Sequence, residues 1–327
     1  MAYAADPLRI LAWPGYADND LVEAFEARHD IQVEVSFVTS DEMLRKKLGR
    51  KGGSGYDVFA ANTAEMQLFI ERGLVQPLRL ENIPHQLRQL KRFRDLNTIA
   101  GTTHNGQVYA LPFTYSEMGL IYDRRQFESP PTSLASLWDP QFKGRVLAFD
   151  TSTHNFSIAS LVLGGSPFQL EEAEFEAASR KLVALRRNVL TFYSEPEEAA
   201  ALFREHRIAL LYANYGRQQL KALEDAGADV GYVIPREGAL AWLDCWAVSS
   251  GARNRLMAER WIDYSLEPGV SSAFSQRQGL ANTLEISPAS ASEAPLIWLE
   301  PVEDAPRREA LWARILSGYR PQMLSAP

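Results

Sequence analysis

The chain of 327 residues carries 34 basic and 41 acidic residues, which gives a formal net charge of −7. Its apolar fraction of 46% and charged fraction of 23% are typical of a globular protein with one large or two medium domains. No run of about eighteen uncharged apolar residues occurs, so the sequence predicts no membrane-spanning helix. Basic residues form no extended patch, and we therefore expect no nucleic-acid partner.

Cysteine and histidine usage limits the chemistry that the chain can perform. Cys245 is the single cysteine, which excludes an internal disulfide and a cysteine-rich metal site, and we expect it to be a small buried apolar residue. The five histidines are far apart in sequence, and no P-loop or dinucleotide glycine motif occurs. The sequence therefore predicts no metal and no cofactor.

The first six residues, Met1-Ala-Tyr-Ala-Ala-Asp6, contain an Ala-x-Ala pattern of the kind that precedes a signal-peptidase cleavage site. We interpret this stretch as the remainder of a removed export signal. The chain is then expected to work in the periplasm.

The N-terminal quarter of the chain alternates predicted strands and helices. Period-2 and apolar runs predict strands at Leu8–Trp13, Ile31–Val38 and Asp57–Ala61. Helical spacing and capping residues predict helices after Asp18–Asp20, at Asp41–Leu48 and at Thr63–Gly73. This order of strand, helix and strand with short connections favours a parallel α/β sheet.

The remainder of the chain repeats the same alternation. Further strands are predicted at Val108–Tyr115, Glu117–Tyr122, Gly144–Phe149, Ala209–Ala213, Val230–Ile234 and Ala241–Val248. Further helices are predicted at Asn155–Leu163, Leu170–Leu185, Glu195–Arg204, Asn254–Leu266 and Pro306–Leu316. Two α/β units without a linker predict two lobes, with residues 1–113 and 243–290 in one lobe and residues 114–242 and 291–327 in the other. The crossings are expected at about residues 109–118 and 237–246.

One predicted strand places an aromatic ring and a carboxylate on the same face. Trp242 and Asp244 are two residues apart, so their side chains leave a strand on one side while Leu243 and Cys245 point to the other. A ring face and a carboxylate together can hold an ammonium group. The alternative is a core tryptophan beside an aspartate that caps a turn. Other strand ends are expected to converge on the same cleft, at Trp13, Asn62, Phe113, Thr151, Asn214 and Trp242.

Six motifs, in order along nearly the whole chain, support this interpretation. They are Trp13-x-x-Tyr16, Gly55–Val58, Tyr109–Pro112 followed by Gly119–Tyr122, Ser136–Gly144, Val233–Gly238 and Trp242–Asp244. In this order the chain resembles the periplasmic solute-binding proteins of the polyamine (spermidine/putrescine) class of ABC importers. The resemblance implies two α/β lobes, each a mostly parallel sheet flanked by helices, which are joined by crossover strands and close on a small cationic solute. It also implies a non-enzymatic monomer that docks on an inner-membrane ABC permease.

Four residues of the chain match the binding residues of the family, and other positions depart from the family pattern. Trp13 and Tyr16 match the aromatic wall of the family, and Trp242 with Asp244 matches the ring and carboxylate that hold an ammonium. Thr151 and His154 stand where polyamine binders of the family carry an aspartate and a glutamate, while Ala64 and Ala213 replace aromatic residues. A buried ammonium without a counter-charge is costly, so the loss of two carboxylates argues against a triamine.

Arg217, just beyond a predicted strand end, offers a guanidinium that could bind a carboxylate in a bidentate fork; the alternative is a solvated arginine at a helix start. His154 either hydrogen-bonds the ligand or faces solvent. We therefore predict a short ω-amino acid such as 4-aminobutyrate or 5-aminovalerate, with a diamine such as putrescine as the alternative and a Cys245-dependent enzyme as a second. The predicted binding residues are Trp13, Tyr16, Asn62, Phe113, Tyr115, Thr151, His154, Tyr215, Arg217, Trp242 and Asp244.

Overall fold

The computed structural model describes residues 6–49, 53, 55–286 and 296–318. The Ala-x-Ala pattern at the start of the chain lies outside these residues. The helices within them are all too short or too polar to cross a lipid bilayer.

Strands and helices are numbered in chain order. The strands are β1 (Leu8–Ala12), β2 (Val33–Phe37), β3 (Val58–Asn62), β4 (Val75–Gln76), β5 (Thr103–His104), β6 (Gln107–Val108), β7 (Ala110–Glu117), β8 (Leu120–Asp123), β9 (Val146–Phe149), β10 (Thr191–Tyr193), β11 (Leu210–Tyr212), β12 (Val230–Val233), β13 (Ala239–Ser249), β14 (Ala281–Asn282) and β15 (Leu296–Trp298). The α-helices are α1 (Asn19–His29), α2 (Asp41–Gly49), α3 (Thr63–Glu71), α4 (Lys91–Arg94), α5 (Ser152–Leu163), α6 (Glu172–Asn188), α7 (Pro196–Glu205), α8 (Arg217–Asp225), α9 (Arg255–Ser265), α10 (Pro268–Gln278) and α11 (Ala305–Leu316).

The chain forms two compact units. Of the described residues, lobe one comprises those up to Tyr115 together with residues 242–286, and lobe two comprises Ser116–Ala241 together with residues 296–318. Two of the changes from one unit to the other fall inside long strands, after residue 115 in β7 and after residue 241 in β13.

The sheet of lobe one is built around β1. β1 pairs in parallel with β2 on one side and with β3 on the other, and β13 then adds to β3 in the antiparallel sense. Asp57, just before β3, is fully buried and accepts hydrogen bonds from the Arg9 side chain and from the backbone N–H of Arg253 at 2.6 Å. These hydrogen bonds provide donors for the buried Asp57 carboxylate. They also hold the start of β3 against the segments that contain Arg9 and Arg253.

The sheet of lobe two has the order β10-β9-β11-β8-β12. β9 pairs in parallel with β10 and β11, whereas β8 is antiparallel to β11 and β12. The C-terminal helix α11 is held by the fully buried Arg308, which binds both carboxylate oxygens of Glu303 at 2.8 Å and donates to the backbone oxygen of Thr153 at 2.9 Å. Arg308 thereby anchors α11 to the first turn of α5.

The two-lobed α/β architecture agrees with the prediction, but the sheets are mixed to a greater degree than the sequence indicated. Each has a parallel core of three strands, and antiparallel strands extend both. The alternation along the chain did not indicate this, because β12 pairs with β8 and β13 with β3, strands that are far apart in the sequence. Helix α10 was not predicted, because its Gly269 and six polar residues obscure the helical period.

Candidate functional site

Strand β13 separates its side chains between two apolar clusters as predicted. Leu243 and Cys245 pack in one cluster, whereas Trp242 and Trp246 pack against the other. Asp244 therefore leaves the strand on the same side as Trp242. This alternation confirms the predicted geometry of the ring and the carboxylate.

Asp244 is buried, with 6% of its surface exposed, and its Oδ2 accepts a hydrogen bond of 2.6 Å from the hydroxyl of Tyr16. Burial raises the pKa of Asp244 to about 7, against the lowering effect of the Tyr16 hydrogen bond. Within the described part of the chain, Asp244 forms no ion pair. The carboxylate is thus desolvated and has one neutral donor.

Tyr16 has a different role from the one that the resemblance implied. Its ring is 6% exposed and packs edge-on against Phe113, Trp246 and Phe274, with centroid distances of 5.6, 6.3 and 5.3 Å. The prediction of an aromatic wall is therefore revised for this residue, because its ring belongs to the core and its hydroxyl serves Asp244. Phe113, at 2% exposure, lies in the same aromatic core rather than at a surface.

Asn62 stands opposite Asp244 in the antiparallel pairing of β3 and β13. Its Oδ1 caps helix α3 by accepting hydrogen bonds from the backbone N–H groups of Ala64 and Glu65 at 3.0 and 3.1 Å. Its Nδ2 donates to Oδ1 of Asp41 at 3.2 Å. Asn62 was predicted as a ligand contact, but its side chain is engaged by the protein on both ends, so we assign it a capping and positioning role.

Asp41, the first residue of α2, is a second carboxylate in this part of lobe one. The sequence analysis treated Asp41 only as the start of a helix. Desolvation, followed by the charge of Glu65, raises the pKa of Asp41 well above its usual range. The charge of Arg45 opposes this shift, and the charge of Asp244 adds to it. Glu65 itself is neutralised by the fork of Arg45, at 2.8 and 2.9 Å. Over the described ranges, no ion pair involves Asp41.

The other aromatic side chains predicted for lobe one differ in exposure. Trp13 follows the end of β1, is half-buried, and packs against both apolar clusters. Its buried indole N–H has no hydrogen-bond acceptor in the residues that the structure describes. Tyr115 is buried, and its hydroxyl accepts a hydrogen bond from Arg92 at 2.7 Å. Trp13 therefore keeps an unpaired buried donor within the described residues, whereas Tyr115 has a structural partner.

In lobe two, Thr151 and His154 lie at the start of α5. Thr151 is the half-buried N-cap residue and makes no side-chain capping bond. His154 is 7% exposed, and its Nδ1 lies 2.7 Å from Oδ1 of Asn214. The alternative of a solvent-facing His154 is therefore wrong, because the ring is buried and hydrogen-bonded to the end of the neighbouring strand segment.

Tyr215 and Arg217 follow β11. The Tyr215 hydroxyl donates to the backbone oxygen of Ser194 at 2.8 Å. Arg217 begins α8, and its Nε donates to Oε1 of the buried Glu117 at 2.7 Å. The sequence analysis considered Arg217 either as a ligand contact or as a solvated arginine. The structure shows a third arrangement, an ion pair within the protein. Glu117 gave no signal in the sequence because it lies 100 residues away.

Cys245 is fully buried, and burial raises the pKa of its thiol well above the ordinary value, with the charge of Asp244 acting in the same direction. A nucleophilic cysteine needs the opposite shift, toward thiolate. The predicted small apolar role is confirmed, and the Cys245-dependent enzyme loses its chemical basis.

Comparison with known proteins decides the class. Residues 20–297 match the family described as bacterial extracellular solute-binding protein. The chain belongs to this family. Spermidine/putrescine-binding periplasmic protein 1 of Haemophilus influenzae is 28% identical over 267 residues, which are 81% of this chain and 72% of that protein. The putrescine-binding periplasmic protein PotF of Escherichia coli K12 is 24% identical, over 90% of this chain and 80% of its own.

Solved structures show the same fold. A putative spermidine/putrescine ABC transporter from Listeria monocytogenes superimposes with a TM-score of 0.82 at 22% identity, over 96% of this chain and 98% of that chain. A GABA receptor superimposes with a TM-score of 0.72 at 17% identity, over 95% and 98%. The predicted family resemblance, two-lobed fold and periplasmic location are confirmed. The chain is therefore a bacterial extracellular solute-binding protein.

Proposed function

We propose that this solute-binding protein captures a small primary amine and that the carboxylate of Asp244 binds its ammonium group. The observation that carries the proposal is a buried carboxylate with one hydroxyl donor, from Tyr16 at 2.6 Å, and no cation beside it in the described residues. Leaving such a group ionised inside a protein costs several kcal/mol unless a positive charge arrives. An ammonium supplies that charge and three N–H donors.

Aromatic groups on the same lobe suit the same ligand. Trp242 leaves β13 on the side of Asp244, and Trp13 is half-buried with a free indole N–H in the described structure. A tryptophan face attracts a cation by about 0.5–2 kcal/mol, depending on how completely the cation is desolvated. We therefore assign the ammonium to Asp244, with Trp242 and Trp13 as its ring contacts.

The charges of the described groups favour a ligand with two positive charges. In lobe one, Asp41 and Asp244 both lie beside Asn62 and neither forms an ion pair within the described residues, although the charge of Arg45, which is paired with Glu65, also acts on Asp41. In lobe two, Arg217 and Glu117 neutralise one another. A short diamine would relieve the excess negative charge, and the curated relatives named for putrescine and spermidine are consistent with such a ligand.

The ω-amino acid predicted from the sequence is the second candidate. Arg217, which the sequence offered for its carboxylate, is paired with Glu117, although its side chain is 32% exposed. The two candidates share the ammonium group assigned to Asp244 and differ in whether the second group of the ligand is an ammonium or a carboxylate. Putrescine and 4-aminobutyrate, which have the same four-carbon spacing, therefore form the decisive pair of test ligands.

Replacing Asp244 by asparagine tests the amine site. We expect Asp244→Asn to weaken putrescine binding by about 2–5 kcal/mol, because it removes one partner of a desolvated charge pair. Isothermal titration calorimetry measures the change. Asp229→Asn, which alters an aspartate of lobe two whose side chain is 56% exposed, is the matched control and should bind as the parent does.

An unchanged affinity in the Asp244→Asn variant would show that the carboxylate is structural. Binding of an anion without an amine would contradict the proposal equally. Mass spectrometry of the solute that co-purifies with the protein gives an independent answer about the ligand.

A further inference from the structure

A cavity of about 480 Å³ lies in lobe two, where helices α7 and α8 end. Volumes of about 300–1,000 Å³ are usual for sites that bind small molecules. Phe203 and Leu223, which belong to the buried apolar cluster of this lobe, form the floor of the cavity. Space is left above them because the neighbouring positions, Ala200, Gly227 and Ala228, carry a single methyl group or no side chain.

The cavity lies at one edge of the lobe-two sheet. Asp123, which lines the cavity, ends β8 and stands opposite Val230 at the start of β12. Arg207, which also lines it, comes three residues before β11. Tyr215 and Arg217 follow the other end of β11. Within this lobe, the cavity is therefore separate from the strand end at which the sequence predicted ligand contacts.

The polar lining of the cavity carries an excess of positive charge. Three arginines, Arg125, Arg204 and Arg207, line it together with one carboxylate, that of Asp123. Arg125 binds this carboxylate through Nε and a terminal nitrogen at 2.9 and 3.0 Å, and the amide of Gln126 donates to it at 3.0 Å. In the part of the chain that the structure describes, neither Arg204 nor Arg207 forms an ion pair. Two positive charges therefore remain beside an apolar floor.

The acidic residues around the cavity do not cancel this charge. Asp225 and Asp229 each form an ion pair with a lysine or an arginine outside the cavity. Glu205 and Glu224 are exposed and do not contribute to its lining. The electrostatics of the lining thus favour an anion.

The lining also defines the chemistry of the anion. Arginine binds carboxylates and phosphates through a planar fork of N–H donors. An apolar floor favours a hydrocarbon, because contact with it removes apolar surface from water. We propose that this cavity is a second ligand site, which binds a small organic anion with a carboxylate or phosphate group on a hydrocarbon body. Arg204 and Arg207 bind the anionic group, and Phe203 and Leu223 contact the hydrocarbon. This site does not depend on the amine site of lobe one.

Octanoate and octyl phosphate test the site, since each combines an anionic group with a hydrocarbon chain and the pair separates the two head groups. Isothermal titration calorimetry with the full chain should show saturable binding of at least one of them. 1-Octanol lacks the charge and acetate lacks the hydrocarbon chain. We expect both of these controls to bind about tenfold more weakly, or less tightly still.

Substitutions then locate the binding. Arg204→Gln combined with Arg207→Gln changes two exposed side chains and should raise the dissociation constant of the bound probe by about tenfold or more. Arg180→Gln combined with Arg187→Gln is the matched control, because it removes the same charge from two exposed arginines of α6 in the same lobe, and it should bind as the parent does. Ala200→Leu fills the cavity and should weaken binding by a similar factor of about ten, although every charge is kept. Urea denaturation checks that each variant is folded.

The proposal is overturned if neither octanoate nor octyl phosphate binds the parent, or if the folded Arg204 and Arg207 double variant keeps the parental dissociation constant. An equal loss in the Arg180 and Arg187 control would overturn it too, since binding would then follow net charge alone. So would equal affinities for octanoate and 1-octanol, or parental binding by folded Ala200→Leu. Binding of octyl phosphate alone supports the site and assigns its head group. Putrescine binding and its loss in Asp244→Asn test the proposed function separately.

Discussion

At the scale of single residues, the proposed function depends on the protonation of one buried carboxylate, that of Asp244. Asp244 has a pKa of about 7 because it is desolvated, and Tyr16 is its hydrogen-bond donor. A protonated Asp244 cannot form a charge pair with an ammonium, so protons compete with the ligand. Primary amines stay charged throughout this range, since an alkylammonium loses its proton only near pH 10.

We therefore expect the affinity for putrescine to depend on pH. The dissociation constant should be constant above about pH 8 and should rise by roughly tenfold per pH unit once the pH is well below 7, since one proton must leave for each ligand that binds. Calorimetry between pH 5 and 9 measures the constant, and buffers of different ionisation enthalpy reveal the released proton. Equal dissociation constants at pH 5 and pH 8 would contradict an ionisable carboxylate at the site.

The same group makes the stability of the ligand-free protein depend on pH in a defined direction. The folded-state pKa of Asp244, about 7, lies above the unfolded value of about 3.9, so the folded state binds the proton more tightly. Its contribution to stability is therefore present at low pH and is lost as the pH rises toward 7. The raised pKa of Asp41 acts in the same sense.

At the scale of elements, the start of α3 connects a helix cap to the carboxylates of Asp41 and Asp244. Asn62 ends β3, caps α3 through Oδ1 and holds Asp41 through Nδ2. One side chain thus fixes the helix start and the position of a carboxylate. The cap was visible in the sequence only as a polar residue between a strand and a helix.

Replacing Asn62 by alanine should therefore have two effects. We expect a loss of about 1 kcal/mol in the free energy of unfolding, because the Ala64 and Glu65 N–H groups lose their acceptor. Urea denaturation measures it. Asn62→Asp is the matched variant, since it restores the cap but places a third negative charge near Asp41 and Asp244. If Asn62→Ala unfolds at the parental midpoint, the capping role is wrong.

At the scale of the whole molecule, ligand binding should stabilise the folded protein. A ligand that binds only the folded state, at about 100 times its dissociation constant, raises the free energy of unfolding by about 2.7 kcal/mol. We expect putrescine to raise the midpoint of thermal unfolding of the parent and to leave that of Asp244→Asn nearly unchanged at the same concentration. A shift of equal size in both proteins would place the bound amine elsewhere on the molecule.

The sequence alone predicted the class of the protein. Alternating strands and helices indicated the two-lobed α/β fold, because apolar periodicity follows directly from which faces are buried. Trp242 and Asp244 could be assigned to one face, since the side-chain period of a strand is two residues. Six ordered motifs then indicated the family of solute-binding proteins. All of these features are local, so neighbouring residues are sufficient to specify them.

Tertiary structure decided the partners of each charged group. Asp41 and Asp244 are 203 positions apart in the chain, and both lie beside Asn62 because α2, β3 and β13 meet within lobe one. Glu117 and Arg217 meet because α8 begins at the end of β7. A charge acts over a few ångströms of space, whatever its distance along the chain. The sequence could therefore indicate the solute-binding family, while the charges that surround each carboxylate depended on the fold.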